Sequence, residues 1–85
     1  MKEQKITIKD PIGIHARPAA QLIQAIKDFD CEIKVLKGDK SANLKSLLSL
    51  MGLSVKQGDE ITLVAEGKDE EIALEKAIEF IEKNL

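Results

Sequence analysis

Apolar residues along this chain recur with period two in some stretches and with period 3.6 in others, and the switches between the two leave room for few folds. Ile6 and Ile8 alternate with Lys5, Thr7 and Lys9, which predicts a strand over Gln4 to Lys9 with one face buried. Asp10-Pro11-Ile12-Gly13 breaks it. From Ala16 onward Ala19, Leu22, Ile23, Ile26 and Phe29 share one helical face, an amphipathic helix of about three turns. Pro18 is tolerable in its first turn, where the missing N–H has no intrahelical partner anyway.

The period then returns to two. Cys31, Ile33 and Val35 alternate with Glu32 and Lys34, and the turn Lys37-Gly38-Asp39-Lys40 leads to a short third strand near Ser41 to Asn43, so these two strands should form a hairpin. Ser46, followed by Leu47, Leu48, Leu50 and Met51 and then by Gly52, predicts a two-turn helix with a serine N-cap, a glycine C-cap and an unusually apolar outward face. After the turn Gln57-Gly58-Asp59, a fourth strand carries Ile61, Leu63 and Ala65 inward and ends at Gly67. A last helix from about Asp69 to Asn84 should bury Ile72, Ala73, Ala77, Ile78 and Ile81, with acids at its N-terminal end and a Glu79–Lys83 pair. The order β-α-β-β-α-β-α predicts a single α+β domain over residues 1–85: a two-layer open-faced sandwich of four mostly antiparallel strands with three helices on one face.

Composition narrows the function classes. No apolar run approaches the ~18 residues that span a bilayer, and the alternation begins too near Met1 to leave an apolar signal segment, so a cytoplasmic location without membrane insertion is expected. Cys31 is the only cysteine, which removes disulfides and cysteine-built metal sites and reads as a small core hydrophobe. A net charge of −2 with mixed signs, and two phenylalanines without Tyr or Trp, give nucleic acid neither an electrostatic patch nor a stacking platform.

One stretch carries the chemistry. Gly13-Ile14-His15-Ala16-Arg17-Pro18-Ala19-Ala20 holds the only histidine and the only arginine. A metal site would need further ligands, and a catalytic triad would need an oriented carboxylate, for which Asp10 is the nearest candidate in sequence. A neutral imidazole can instead be the nucleophile and hold a phosphoryl group as a phosphoramidate. The free N–H groups at the start of the helix and the Arg17 fork could meet the phosphate charge, and Gly13 would keep the approach to His15 free of side-chain bulk. On residue types alone, His15 as a surface or capping residue stands beside this reading.

The same stretch resembles the active-site signature of HPr, the histidine-containing phosphocarrier family of the bacterial phosphoenolpyruvate-dependent sugar phosphotransferase system. Asn43-Leu44-Lys45-Ser46-Leu47-Leu48-Ser49-Leu50-Met51 is similar to that family's regulatory serine segment, and length, element order and the His15-to-Ser46 spacing agree over essentially the whole chain. The resemblance implies that His15 accepts a phosphoryl group on Nδ1 from enzyme I and passes it to enzyme IIA domains of sugar permeases, with Arg17 steadying the phosphate. Partner contacts would come from Arg17, Ala20, Lys27, Lys45, Leu47, Leu48 and Met51. His15, Arg17 and the apolar face after Ser46 would thus form one docking surface from two helix N-termini. Ser46 would be a regulatory site for an HPr kinase/phosphorylase, creating a signal for a catabolite-control regulator. The carrier would be a monomeric covalent shuttle with no metal or cofactor of its own, not an enzyme.

Two neighbouring readings stand beside it: the paralogous carrier of the nitrogen-related phosphotransferase chain, disfavoured by the intact Lys45-Ser46 segment, and a pure interaction module in which His15 is inert. Regulatory relatives that do not carry phosphate lack the histidine. The chain also departs from the family. Ile12 stands where many members have a polar residue, Gly52-Leu53-Ser54 reverses the usual Ser/Thr-Leu-Gly, and Gln24 and Ser49 replace lysines of some enteric members.

Overall fold

The computed structural model covers residues 1–85 and holds strands β1 (Lys2–Thr7), β2 (Cys31–Lys37), β3 (Lys40–Asn43) and β4 (Glu60–Gly67), with helices α1 (Ala16–Ile26), α2 (Leu47–Met51) and α3 (Glu70–Asn84). The element order is the one the periodicity predicts. The sheet order is β1-β4-β2-β3, and all three pairings are antiparallel. β4 runs through the middle, where Ile61, Leu63 and Ala65 are buried beside Ile33 and Val35 of β2.

Alternation explains the layering. Odd positions of β2 and β4 point to one side, and α1 and α3 cover that side with Leu22, Ile26, Ala73, Ala77 and Ile81, giving one core of 22 buried residues. The other side keeps Glu32, Lys34 and Glu66 in solvent. Cys31 is buried, as its reading as a small hydrophobe requires.

Four local expectations are corrected. β1 starts and ends two residues before the predicted Gln4–Lys9: Ile8 is fully buried and still exchanges hydrogen bonds with the Gly58–Asp59 turn, but the N–H groups of Lys9 and Asp10 turn away to the Leu85 carbonyl at 2.7 and 2.6 Å. Only Ile6 of β1 packs partly against the core, so this edge strand is otherwise polar, which discourages pairing with foreign strands. Ile72 is 55% exposed and Leu74 is buried in its place. The stripe of α3 is set by Ala73, Leu74, Ala77, Ile78 and Ile81, and Ile72 lies a step of about 100° outside its edge. α1 ends at Ile26, so Phe29 packs against the core from the connecting turn.

The fourth correction concerns α2, which spans Leu47–Met51 only, shorter than two turns. Gly52 does not adopt the left-handed conformation of a glycine C-cap; its φ is −65°. Ser54 does, with φ 53°. The reversed Gly-Leu-Ser order therefore puts a side-chain-bearing residue at the left-handed position, a conformation that costs about 1 kcal/mol or more for a non-glycine residue.

Candidate functional site

The loop from Ile8 to His15 is built by its own polar groups. Asp10 Oδ1 accepts the N–H of Ile12 at 2.8 Å, and the Asp10 carbonyl accepts that of Gly13 at 2.9 Å, a side-chain-stabilised turn. That use of its carboxylate makes Asp10 a turn former, and no carboxylate pairs with His15 among the chain's ion pairs. The triad reading loses its only candidate.

Gly13 has a different role from the one expected of it. It is buried, its φ is +84°, and a Cβ there would lie 2.3 Å from the Val55 carbonyl oxygen and 2.7 Å from Lys56 Cα. Its lack of a side chain lets the loop lie directly on the backbone of Val55 and Lys56, where Ile14 N–H donates to the Val55 carbonyl at 3.1 Å. Sequence reasoning missed Val55 as the floor of the site. The signal was weak: Leu53 and Val55, both buried, alternate about Ser54 in a stretch read only as a connection.

His15 is the N-cap residue of α1, in extended conformation (φ −127°, ψ 171°), and its half-buried imidazole makes no capping bond. The first α1 amide with an acceptor is Ala19, which donates to the His15 carbonyl at 3.0 Å; Pro18 has no N–H, and those of Ala16 and Arg17 have no acceptor in the chain. Arg17 is exposed and takes part in none of the three ion pairs. A nucleophilic nitrogen, two free amides, the positive end of a helix dipole and a free guanidinium thus occur within three consecutive residues. That combination can hold a dianionic group.

The other site residues fall on two regions. Ala20 is exposed on α1. Lys27 caps the opposite end of α1, about 18 Å along the axis from His15 at ordinary helical rise. Lys45 is half-buried and its Nζ donates to the Phe29 carbonyl at 2.7 Å, so its ammonium is occupied at that same end. Ser46 is the N-cap of α2, as its sequence position predicts: its Oγ accepts the Ser49 N–H at 3.3 Å, and Ser49 Oγ in turn accepts the Asn43 N–H at 3.1 Å. Of the apolar residues behind it, Leu50 is buried, Met51 packs partly against the core, and Leu47 and Leu48 are exposed.

The Lys45 bond draws the start of α2 toward the C-terminal end of α1, whereas the stretch after α2 returns to Gly13 and Ile14. What backs the His15 loop is the segment from Leu53 to Asp59, anchored by Lys37: its Nζ reaches the Leu53 and Ser54 carbonyls at 3.3 and 2.9 Å and the Asp59 carboxylate at 3.0 Å. The Lys56 N–H and then the Lys37 ammonium hold the Asp59 carboxyl below its ordinary pKa. Nothing local in the sequence ties Lys37 to this segment.

Comparison with known proteins agrees with this fold. A family model described as the PTS HPr component phosphorylation site matches residues 2–83. The chain is similar to the phosphocarrier protein HPr of Lysinibacillus sphaericus, at 52% identity over 88% of this chain and 85% of that one. Its fold is similar to a crystal structure of HPr from Thermoanaerobacter tengcongensis, with a TM-score of 0.92 and 44% identity over 98% of this chain and 93% of that one. It is also similar to Bacillus subtilis Crh, a catabolite repression protein whose crystal structure is a domain-swapped dimer, with a TM-score of 0.79 and 38% identity over 100% of this chain and 98% of that one.

Proposed function

The chain belongs to the PTS HPr family of phosphocarriers, and from that premise we propose that His15 receives a phosphoryl group from phosphorylated enzyme I and delivers it to enzyme IIA domains of sugar permeases in the cytoplasm. The observation that carries the proposal is the uncommitted state of the site: an imidazole without a carboxylate partner, directly before two free amides and an unpaired Arg17. In the transfer step the imidazole lone pair forms an N–P bond while the bond from phosphorus to its enzyme I donor breaks. The amides of Ala16 and Arg17 and the Arg17 guanidinium then face the phosphoryl oxygens, offsetting their charge. Because the same groups serve arrival and departure, the carrier holds the phosphate without consuming it.

Incubation with phosphoenolpyruvate and enzyme I should give one acid-labile phosphate per chain, absent from His15→Ala. A label that persists in His15→Ala, or none on the parent protein, overturns the reading and leaves an interaction module. The unit that acts is taken to be the monomer. The swapped dimer belongs to the Crh relative.

The similarity to Crh favours a second role at Ser46. A phosphate there would sit before the amides of α2 and could be added without unfolding, while its charge would oppose docking of an acidic partner. An HPr kinase/phosphorylase would write this mark and a catabolite-control regulator would read it. Host extract with ATP should then yield an acid-stable phosphate that disappears in Ser46→Ala; an equal yield from both proteins removes Ser46 as the site.

A further inference from the structure

The segment on which the His15 loop rests is gripped from its other side by one ammonium group. Lys37 ends β2, and its three protons have three acceptors: the carbonyls of Leu53 and Ser54 and the carboxylate of Asp59. Asp59 Oδ2 also accepts the Lys56 N–H at 2.9 Å, so the grip spans both ends of the stretch from Leu53 to Asp59 and includes the left-handed Ser54. Without that grip, a left-handed serine has a strong local reason to relax.

The opposite side of the same stretch carries the loop. The Val55 carbonyl accepts Ile14 N–H at 3.1 Å, the Asp59 carbonyl accepts Ile8 N–H at 3.0 Å, Gly58 N–H donates to the Ile8 carbonyl at 2.8 Å, and Gln57 Nε2 donates to the Lys9 carbonyl at 3.1 Å. All four bonds end on residues that lead directly to His15. A change in the path of Leu53 to Asp59 therefore moves the imidazole and the free amides relative to each other.

We infer that Lys37, together with Asp59, is a positioning residue for the phosphoryl acceptor, acting through Ser54, Val55 and Gly13 on His15 without touching the reacting atoms. The inference rests on the reading of His15 as acceptor. It assigns the pair an effect on the chemical step, exerted through the loop that carries His15.

The test compares Lys37→Met with Lys34→Met, an exposed lysine on the same strand. Hydrogen exchange is read in the unphosphorylated protein, where the Ile14 amide should open about tenfold faster in Lys37→Met relative to the core amides of β2 and β4. With enzyme I as the donor system, Lys37→Met should lower kcat about tenfold at unchanged KM, because misplacement of a reacting group costs rate without costing affinity. Lys34→Met should match the parent in both. If Lys37→Met does not fold, Asp59→Asn carries the same two readings. Ile14 exchange that only tracks the core, or a kcat equal to the parent's, overturns the inference. A parent protein that takes no phosphate overturns the reading of His15 instead, and the exchange measurement still decides whether Lys37 holds the loop.

Discussion

Gly13→Ala is expected to lower the unfolding free energy by about 2–3 kcal/mol and to slow phosphoryl acceptance by about 100-fold in the fraction that remains folded. The stability loss has two sources. A Cβ at φ +84° is strained by itself, and this one would fall 2.3 Å from the Val55 carbonyl oxygen, so the loop must lift and break the Ile14–Val55 bond. Neither neighbour can yield cheaply, because both contacts are backbone. The rate loss follows from the lift, since His15 is only two residues further on. Urea unfolding should show a lower midpoint with an unchanged slope, the mark of lost stability without a change in the unfolded chain. A variant with the parent's midpoint and rate would show that the loop does not depend on its seat against Val55.

The fold was legible in the sequence wherever a pattern is repeated within one element. The alternation in β2 and β4 names the buried residues of both strands, because each strand meets the core with one face and solvent with the other. The same logic overreaches at Ile72, where one more apolar residue beside a stripe looks like part of it although the stripe was already complete. At the site, His15 and Arg17 were legible from their types and from the helix that begins behind them. Ser46 was legible as a cap for the same reason, since capping is decided within four residues.

What could not be read is contact between distant segments. Gly13 was expected to clear a path to His15, but its need for glycine comes from Val55 and Lys56, which no local pattern connects to it. Lys37 looked like part of a turn, and Lys45 like a partner contact, yet both ammonium groups reach backbone carbonyls elsewhere in the chain. The departure Gly52-Leu53-Ser54 marked a place where the backbone path would need attention. Its consequence, a left-handed Ser54 beneath the Lys37 grip, depends on where β2 ends in space.

Leu48 and Leu50 show how one short helix divides its apolar residues between folding and docking. Leu48 is 85% exposed and Leu50 is 1% exposed, although both follow Ser46 in the same apolar run. Leu50→Ala should cost about 2–5 kcal/mol of stability, because it empties a packed site that the short α2 cannot collapse around. Leu48→Ala should change stability by no more than about 0.5 kcal/mol, since its side chain has little packing to lose. If α2 is the face that meets enzyme I, Leu48→Ala should instead weaken that complex by about 30-fold, the effect of losing a central apolar anchor of about 2 kcal/mol. The contrast is measured by urea unfolding of both variants and by titration of enzyme I at a temperature where both are folded. A Leu48→Ala protein that binds enzyme I as the parent does would leave the exposed face of α2 without a role in transfer, and docking would have to rest on Arg17, Ala20, Lys27 and Lys45.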